Sequence, residues 1–138
     1  MKTKITQFIP AVIALVAIGF SYFSLWCTGS GHLCYRTWLD SVFLDIINPL
    51  YFYSLYFLPI AIVLVFIPWT IFNSWLKLAA WMIPLSIFYI AITPVVDNSL
   101  IPFNRDDAAR LAGGVFAAAS LLLILYKWFS TRTNPGQV

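Results

Sequence analysis

The stretch AARLAGGVFAAASLLLILYKWF, residues 108–129, decides the fold class of this chain. It contains no acidic side chain, and its basic residues lie near its two ends. A helix that crosses the hydrocarbon core of a bilayer needs about 20 mostly apolar residues. Three further stretches meet this requirement, at residues 8–26, 50–68 and 75–93. The sequence therefore predicts an all-α membrane protein, a bundle of four transmembrane helices in one domain covering residues 1–138.

The composition of the whole chain supports the same class. Of its 138 residues, 62% are hydrophobic and only 9% are charged, whereas a soluble domain carries roughly 25% charged residues. The net charge of +3 is spread thinly and forms no basic patch of the kind that binds phosphates. These values exclude a soluble enzyme, a disordered tail and a nucleic-acid-binding protein, and they make the lipid bilayer the predicted partner.

The distribution of charge predicts the orientation. With four spans, both termini and the loop between the second and third spans lie on one side of the membrane. That side holds only basic residues, and the other side holds Arg36, Arg105 and Arg110 with every acidic residue. Since basic loops stay in the cytoplasm, we expect a multi-pass protein of the bacterial cytoplasmic (inner) membrane with both termini cytoplasmic. The basic residues of the cytoplasmic side are Lys2, Lys4, Lys77, Lys127 and Arg132.

The first outer loop begins with CTGSGHLC, residues 27–34, a glycine-rich turn between two cysteines. Facing an oxidising compartment, Cys27 and Cys34 are expected to form a disulfide. A zinc site that adds His32 and Asp40 is disfavoured, because the spacing matches no standard ligand pattern. A redox relay is also disfavoured, because it typically uses a Cys-x-x-Cys pair. We therefore predict a structural disulfide, no metal and no cofactor.

Residues 37–47 have the apolar spacing of an amphipathic helix. This segment is expected to lie on the outer membrane surface or to cap the bundle, with Asn48-Pro49 ending it and starting the second span. Residues 68–75 are expected to form the turn before the third span, which Asn73 or Ser74 would cap.

The start of the fourth span combines charge with small residues. Asn104 is a natural N-cap, and Asp106, Asp107 and Arg110 have the spacing of an outer ion cluster. A row of small residues recurs every fourth position, which lets another helix approach closely, either within the bundle or in a dimer. The members of this row are Ala109, Gly113 and Ala117.

Candidates for chemistry are few, and we expect no enzyme. The predicted spans contain no ionisable residue near mid-membrane of the kind that pumps use, and no serine or cysteine has an evident activating base. Four hydroxyl side chains are candidates for an uncharged outward-facing pocket, although an aromatic belt at the membrane interface is the favoured explanation of such residues. These four residues are Tyr51, Ser54, Tyr89 and Ser120.

Two functions fit these observations. The first is a non-enzymatic accessory or scaffold subunit, whose partner is another membrane protein or a second copy of the chain. The alternative is a carrier or channel for a small uncharged or lipidic solute, which forms an oligomer.

Overall fold

A computed structural model describes residues 2–29, 43–94 and 103–133. Within these ranges the chain forms four long helices and no strand, which confirms the predicted all-α four-helix bundle. All four helices are long and apolar enough to cross a membrane. The helices are α1 (Lys2–Gly29), α2 (Asn48–Phe66), α3 (Trp69–Ile92) and α4 (Arg105–Thr133).

The first connection differs from the prediction where it is described. Phe43–Ile47 form a π-helical turn that continues directly into α2, and the backbone of Ile47 is helical, with φ −70° and ψ −43°. The expectation that Asn48-Pro49 ends a separate surface helix is therefore wrong. Pro49 lies in the first turn of α2, where a missing backbone N–H is tolerated, so the proline does not break the helix. Residues 37–42 of the predicted amphipathic helix lie outside the described residues.

The connection between α2 and α3 is also shorter than predicted. Only Ile67 and Pro68 separate the two helices, and both have extended backbones. Proline keeps the preceding residue out of the helical region, so α2 stops at this point and α3 begins directly afterwards. Asn73 and Ser74 therefore lie inside α3, and the expectation that one of them caps it is wrong.

The order of packing differs from the order in the chain. Helix α1 packs on α2, α2 packs on α4, and α4 packs on α3. We call the end where α2 and α4 begin the acidic end, because Asp45, Asp106 and Asp107 lie there, and the opposite end the basic end. Aromatic side chains fill the bundle towards the basic end, where buried Phe72, Trp75 and Phe116 form an apolar core with Ile60 and Leu64. The half towards the acidic end instead surrounds a cavity.

Candidate functional site

A cavity of about 460 Å³ lies between α1, α2 and α3 in the half of the bundle nearer the acidic end. This volume falls within the range of about 300–1,000 Å³ that small-molecule sites occupy. Along α2 the cavity reaches from Asp45 to Phe57, which is about 18 Å at 1.5 Å per residue. Apart from Asp45 and Arg105, the residues that line it are mostly apolar: Ile13, Ala14, Ala17, Ile46, Pro49, Leu50, Tyr53, Ser54, Phe57, Ile83, Ile87, Ile90 and Ala91.

The cavity opens sideways, between α1 and α3. These two helices line it from opposite sides, but α1 packs on α2 and α3 packs on α4. Ile13 on α1 and Ile87 on α3 both line the cavity and are 60% and 62% exposed, while Ala14 and Ser54 are buried. With the four helices placed across a bilayer, these two exposed side chains would contact its hydrocarbon.

Arg105 closes the acidic end of the cavity. Its Nη1 lies 3.2 Å from a carboxylate oxygen of Asp45 and donates to the backbone carbonyl of Asp45, also at 3.2 Å. Its Nε donates to the carbonyl of Thr93 at 3.1 Å, and Nη2 donates to that of Ala91 at 3.5 Å. One guanidinium group from α4 thus joins the end of α3 to the π-helical turn before α2.

The backbone explains why an arginine is needed at this position. The last carbonyls of a helix have no partner within the helix, and Ala91 and Thr93 provide two of these at the end of α3. Pro49 has no N–H to donate to the carbonyl of Asp45, four residues earlier. Arginine carries five N–H donors in a fixed fork, so a single side chain satisfies all three carbonyls.

The contacts of Arg105 with Asp45, Thr93 and Ala91 are called the arginine tie. The predicted outer ion cluster lies beside the arginine tie but does not line the cavity. Asn104 Oδ1 accepts from the backbone N–H of Asp107 at 3.0 Å, which confirms Asn104 as the N-cap of α4. Asp107 lies 3.8 Å from Arg110, whose guanidinium carbon is 4.0 Å from the centroid of the Phe52 ring. Asp106 accepts a hydrogen bond from the side-chain amide of Asn48. These contacts hold the beginnings of α2 and α4 together.

The row of small residues lies in the contact between α2 and α4. Ala109 and Gly113 are buried, and Ala117 packs against the apolar core. A Cβ atom on Gly113 would lie 3.2 Å from the Cβ of Tyr56 and 3.4 Å from the Cα of Tyr53. The helices approach this closely because residue 113 has no side chain.

The four hydroxyl residues predicted to share a pocket are not together. Of Tyr51, Ser54, Tyr89 and Ser120, Ser54 alone lines the cavity. Ser120 faces α3, where its Oγ accepts from Trp75 Nε1 at 3.0 Å. The cavity does not include Ser120 because α4 contributes only Arg105 to its lining.

Two polar contacts at the ends of α1 were not predicted from sequence. Gln7 is buried, and its Nε2 donates to the carbonyl of Ile67 at 3.0 Å. Ser21 Oγ donates to the carbonyls of Ala17 at 2.8 Å and Ile47 at 3.4 Å. Pro68 ends α2, and the carbonyl of the preceding Ile67 therefore needs a donor from elsewhere. This proline is the one sequence signal that indicated such a contact.

The cysteine pair lies largely outside the described residues. Cys27 belongs to the last turn of α1, but neither its side chain nor Cys34 is described, so the disulfide stays a prediction. Among the described residues, no group of three His, Cys, Asp or Glu side chains is placed to hold a metal ion.

The fold and its four apolar helices define a multi-pass membrane protein. Comparison with protein-family models, with curated proteins and with solved structures finds no match for this chain.

Proposed function

We propose that the protein is a non-enzymatic membrane protein that holds the apolar tail of a lipidic solute in the cavity between α1, α2 and α3. The observation that carries the proposal is the sideways opening of a cavity of about 460 Å³ beside the bilayer. This proposal develops the carrier hypothesis and leaves the accessory hypothesis as its competitor.

The lining favours a tail over a polar solute. Of the lining residues from Pro49 to Phe57, only Tyr53 and Ser54 carry polar side-chain atoms, and the rest are hydrocarbon. A polar solute would lose hydrogen bonds to water without replacing them, which costs several kcal/mol per group. A tail that enters from the bilayer loses none. The lining residues from Asp45 to Phe57 extend over about 18 Å of helix, which suits a single extended chain.

The charges at the two ends of the bundle support a location of the protein in the cytoplasmic membrane. Lys4, Lys77 and Lys127 lie nearer the basic end and are exposed, which agrees with a cytoplasmic position of that end. We propose that the protein resides in the cytoplasmic membrane with both termini inside. The cavity then draws its solute from the outer leaflet.

The accessory hypothesis predicts a different occupant. The small-residue row would have offered a partner a binding face, but Gly113 already packs against α2 and Ala109 is buried in this chain. A partner subunit would instead insert a helix between α1 and α3. In that case a second protein, and no lipid, would occupy the cavity.

Lipid retention after purification tests the proposal. Ala17 and Ala11 are both half-buried residues of α1, but Ala17 lines the cavity and Ala11 does not. The Ala17→Phe substitution should fill the cavity and reduce the lipid that co-purifies in a maltoside detergent, measured by mass spectrometry. Ala11→Phe is the matched control and should retain the wild-type amount.

Equal lipid content in wild type and both variants would overturn the proposal. Cross-linking of a second protein to position 87 in native membranes, with lipid content unchanged by Ala17→Phe, would support the accessory hypothesis instead.

A further inference from the structure

We infer that the ion pair of Arg105 and Asp45 is a recognition site for a zwitterionic head group, the polar part of the lipid whose tail fills the cavity. The inference rests on the proposed function and names the class of its solute: an amphiphile that carries one phosphate or carboxylate and one ammonium group.

The location of the two side chains favours a lipid head group. Asp45 and Arg105 both line the acidic end of the cavity, and each is the first residue of its membrane-spanning segment. They therefore lie at the level where the hydrocarbon of the bilayer meets the head groups. A tail that extends along α2 towards Phe57 leaves its head group beside these two side chains.

Arg105 is held by more contacts than Asp45. Three donors of Arg105 are held by backbone carbonyls, including those of Thr93 and Ala91 in α3, and its side chain is 20% exposed. Asp45 is 46% exposed, and its carboxylate is joined to the guanidinium by one contact at 3.2 Å. The guanidinium thus stays in place when the carboxylate rotates away, and the N–H of Nη1 that does not bond the Asp45 carbonyl becomes free to bind an anionic oxygen.

Charge balance selects the zwitterion. When an anionic group binds Arg105, the Asp45 carboxylate loses its partner and lies beside a like charge, which is unfavourable. An ammonium group on the same head group restores that partner, so two new ion pairs replace one.

The experiment compares three lipids with identical tails in maltoside micelles: phosphatidylethanolamine, phosphatidylglycerol and diacylglycerol. Native mass spectrometry measures the bound fraction for the full chain. We expect wild type to prefer phosphatidylethanolamine over the other two. In Asp45→Asn the preference over phosphatidylglycerol should fall roughly tenfold, as for the loss of one charge-assisted interaction.

Asp107→Asn is the matched control, because Asp107 lies at the same end but does not line the cavity, and its lipid preference should equal that of wild type. Equal binding of all three lipids by wild type would overturn the head-group inference while the tail proposal stands. Preferential binding of phosphatidylglycerol would overturn it in favour of an anionic solute. Binding of none of the three would overturn both proposals.

Discussion

Helix α2 meets its neighbours in two contrasting ways. Towards α4 the helices approach closely, and a Cβ atom on Gly113 would lie 3.2 Å from the Cβ of Tyr56 and 3.4 Å from the Cα of Tyr53. Towards α1 and α3, near the acidic end, the same helix borders a cavity of about 460 Å³. We call the first the closed side of α2 and the second its open side.

The contrast follows from what stabilises helices in a bilayer. Lipid tails are as apolar as leucine, so helix association depends on close packing and on hydrogen bonds between helices. The closed side obtains both within the chain. The open side lacks packing atoms and loses the corresponding dispersion contacts unless something from the bilayer fills it. On our proposal, the packing of α2 against α4 is complete within the chain, and a lipid tail completes the packing on the other side of α2.

The largest expected effect is on the closed side. Gly113→Leu places a side chain where a Cβ alone would lie 3.2 Å from Tyr56. We expect the free energy of unfolding to fall by about 3 kcal/mol, as overpacking of a tight contact does. Thermal unfolding of the detergent-purified protein measures the change.

The adjacent glycine supplies the control for this variant. A Cβ on Gly114 would meet no atom within 4 Å, so Gly114→Leu should unfold like wild type. Equal losses of stability in the two variants would show that the closed side is not limited by backbone approach.

The second largest effect concerns the arginine tie at the acidic end, where Arg105 of α4 contacts both the turn before α2 and the end of α3. Arg105→Gln removes donors from the carbonyls of Asp45 and Thr93 and the partner of the Asp45 carboxylate. We expect a loss of about 2 kcal/mol, the range for hydrogen bonds to a charged group. Chemical denaturation measures it.

Arg110→Gln is the comparison for the arginine tie. The side chains of Arg110 and Asp107 are 49% and 39% exposed, and exposed pairs contribute little. A loss for Arg110→Gln that matches or exceeds the loss for Arg105→Gln would contradict the assignment of Arg105 as the main tie.

The smallest effect belongs to the hydrogen bond between Trp75 and Ser120. A double-mutant cycle with Trp75→Phe and Ser120→Ala should give a coupling energy of about 0.6–1.7 kcal/mol, the range for side-chain hydrogen bonds between membrane helices. Trp81→Phe, at a position that is 83% exposed, should leave stability unchanged. A coupling energy near zero would show that this bond between α3 and α4 does not stabilise the fold.

Local rules predicted the parts of the fold that depend on local sequence. The length and hydropathy of the four stretches gave the number of spans, and Asn104 identified the beginning of α4. The same kind of rule misplaced the start of α3. The polar pair Asn73 and Ser74 resembles a cap, but Pro68 had already separated the helices and the buried Phe72 belongs to α3.

The open side was not predictable in this way. A membrane helix is apolar on every face, so hydrophobic periodicity does not show which face meets which neighbour. Ser54 and Ser120 are both buried serines within apolar helices, yet one lines the cavity and the other bonds Trp75. That distinction depends on the packing order α1–α2–α4–α3, which arises from contacts between segments distant in sequence.

The occupancy of the open side is tested most directly by photolabelling in vesicles with a lipid that carries a diazirine on its tail. Ile87 and Ile92 lie on α3 and are 62% and 63% exposed, but Ile87 lines the cavity and Ile92 does not. Our account predicts stronger labelling of Ile87, which saturates as the probe is increased and is lost in Ala17→Phe. Equal labelling of Ile87 and Ile92 at every probe concentration would contradict it.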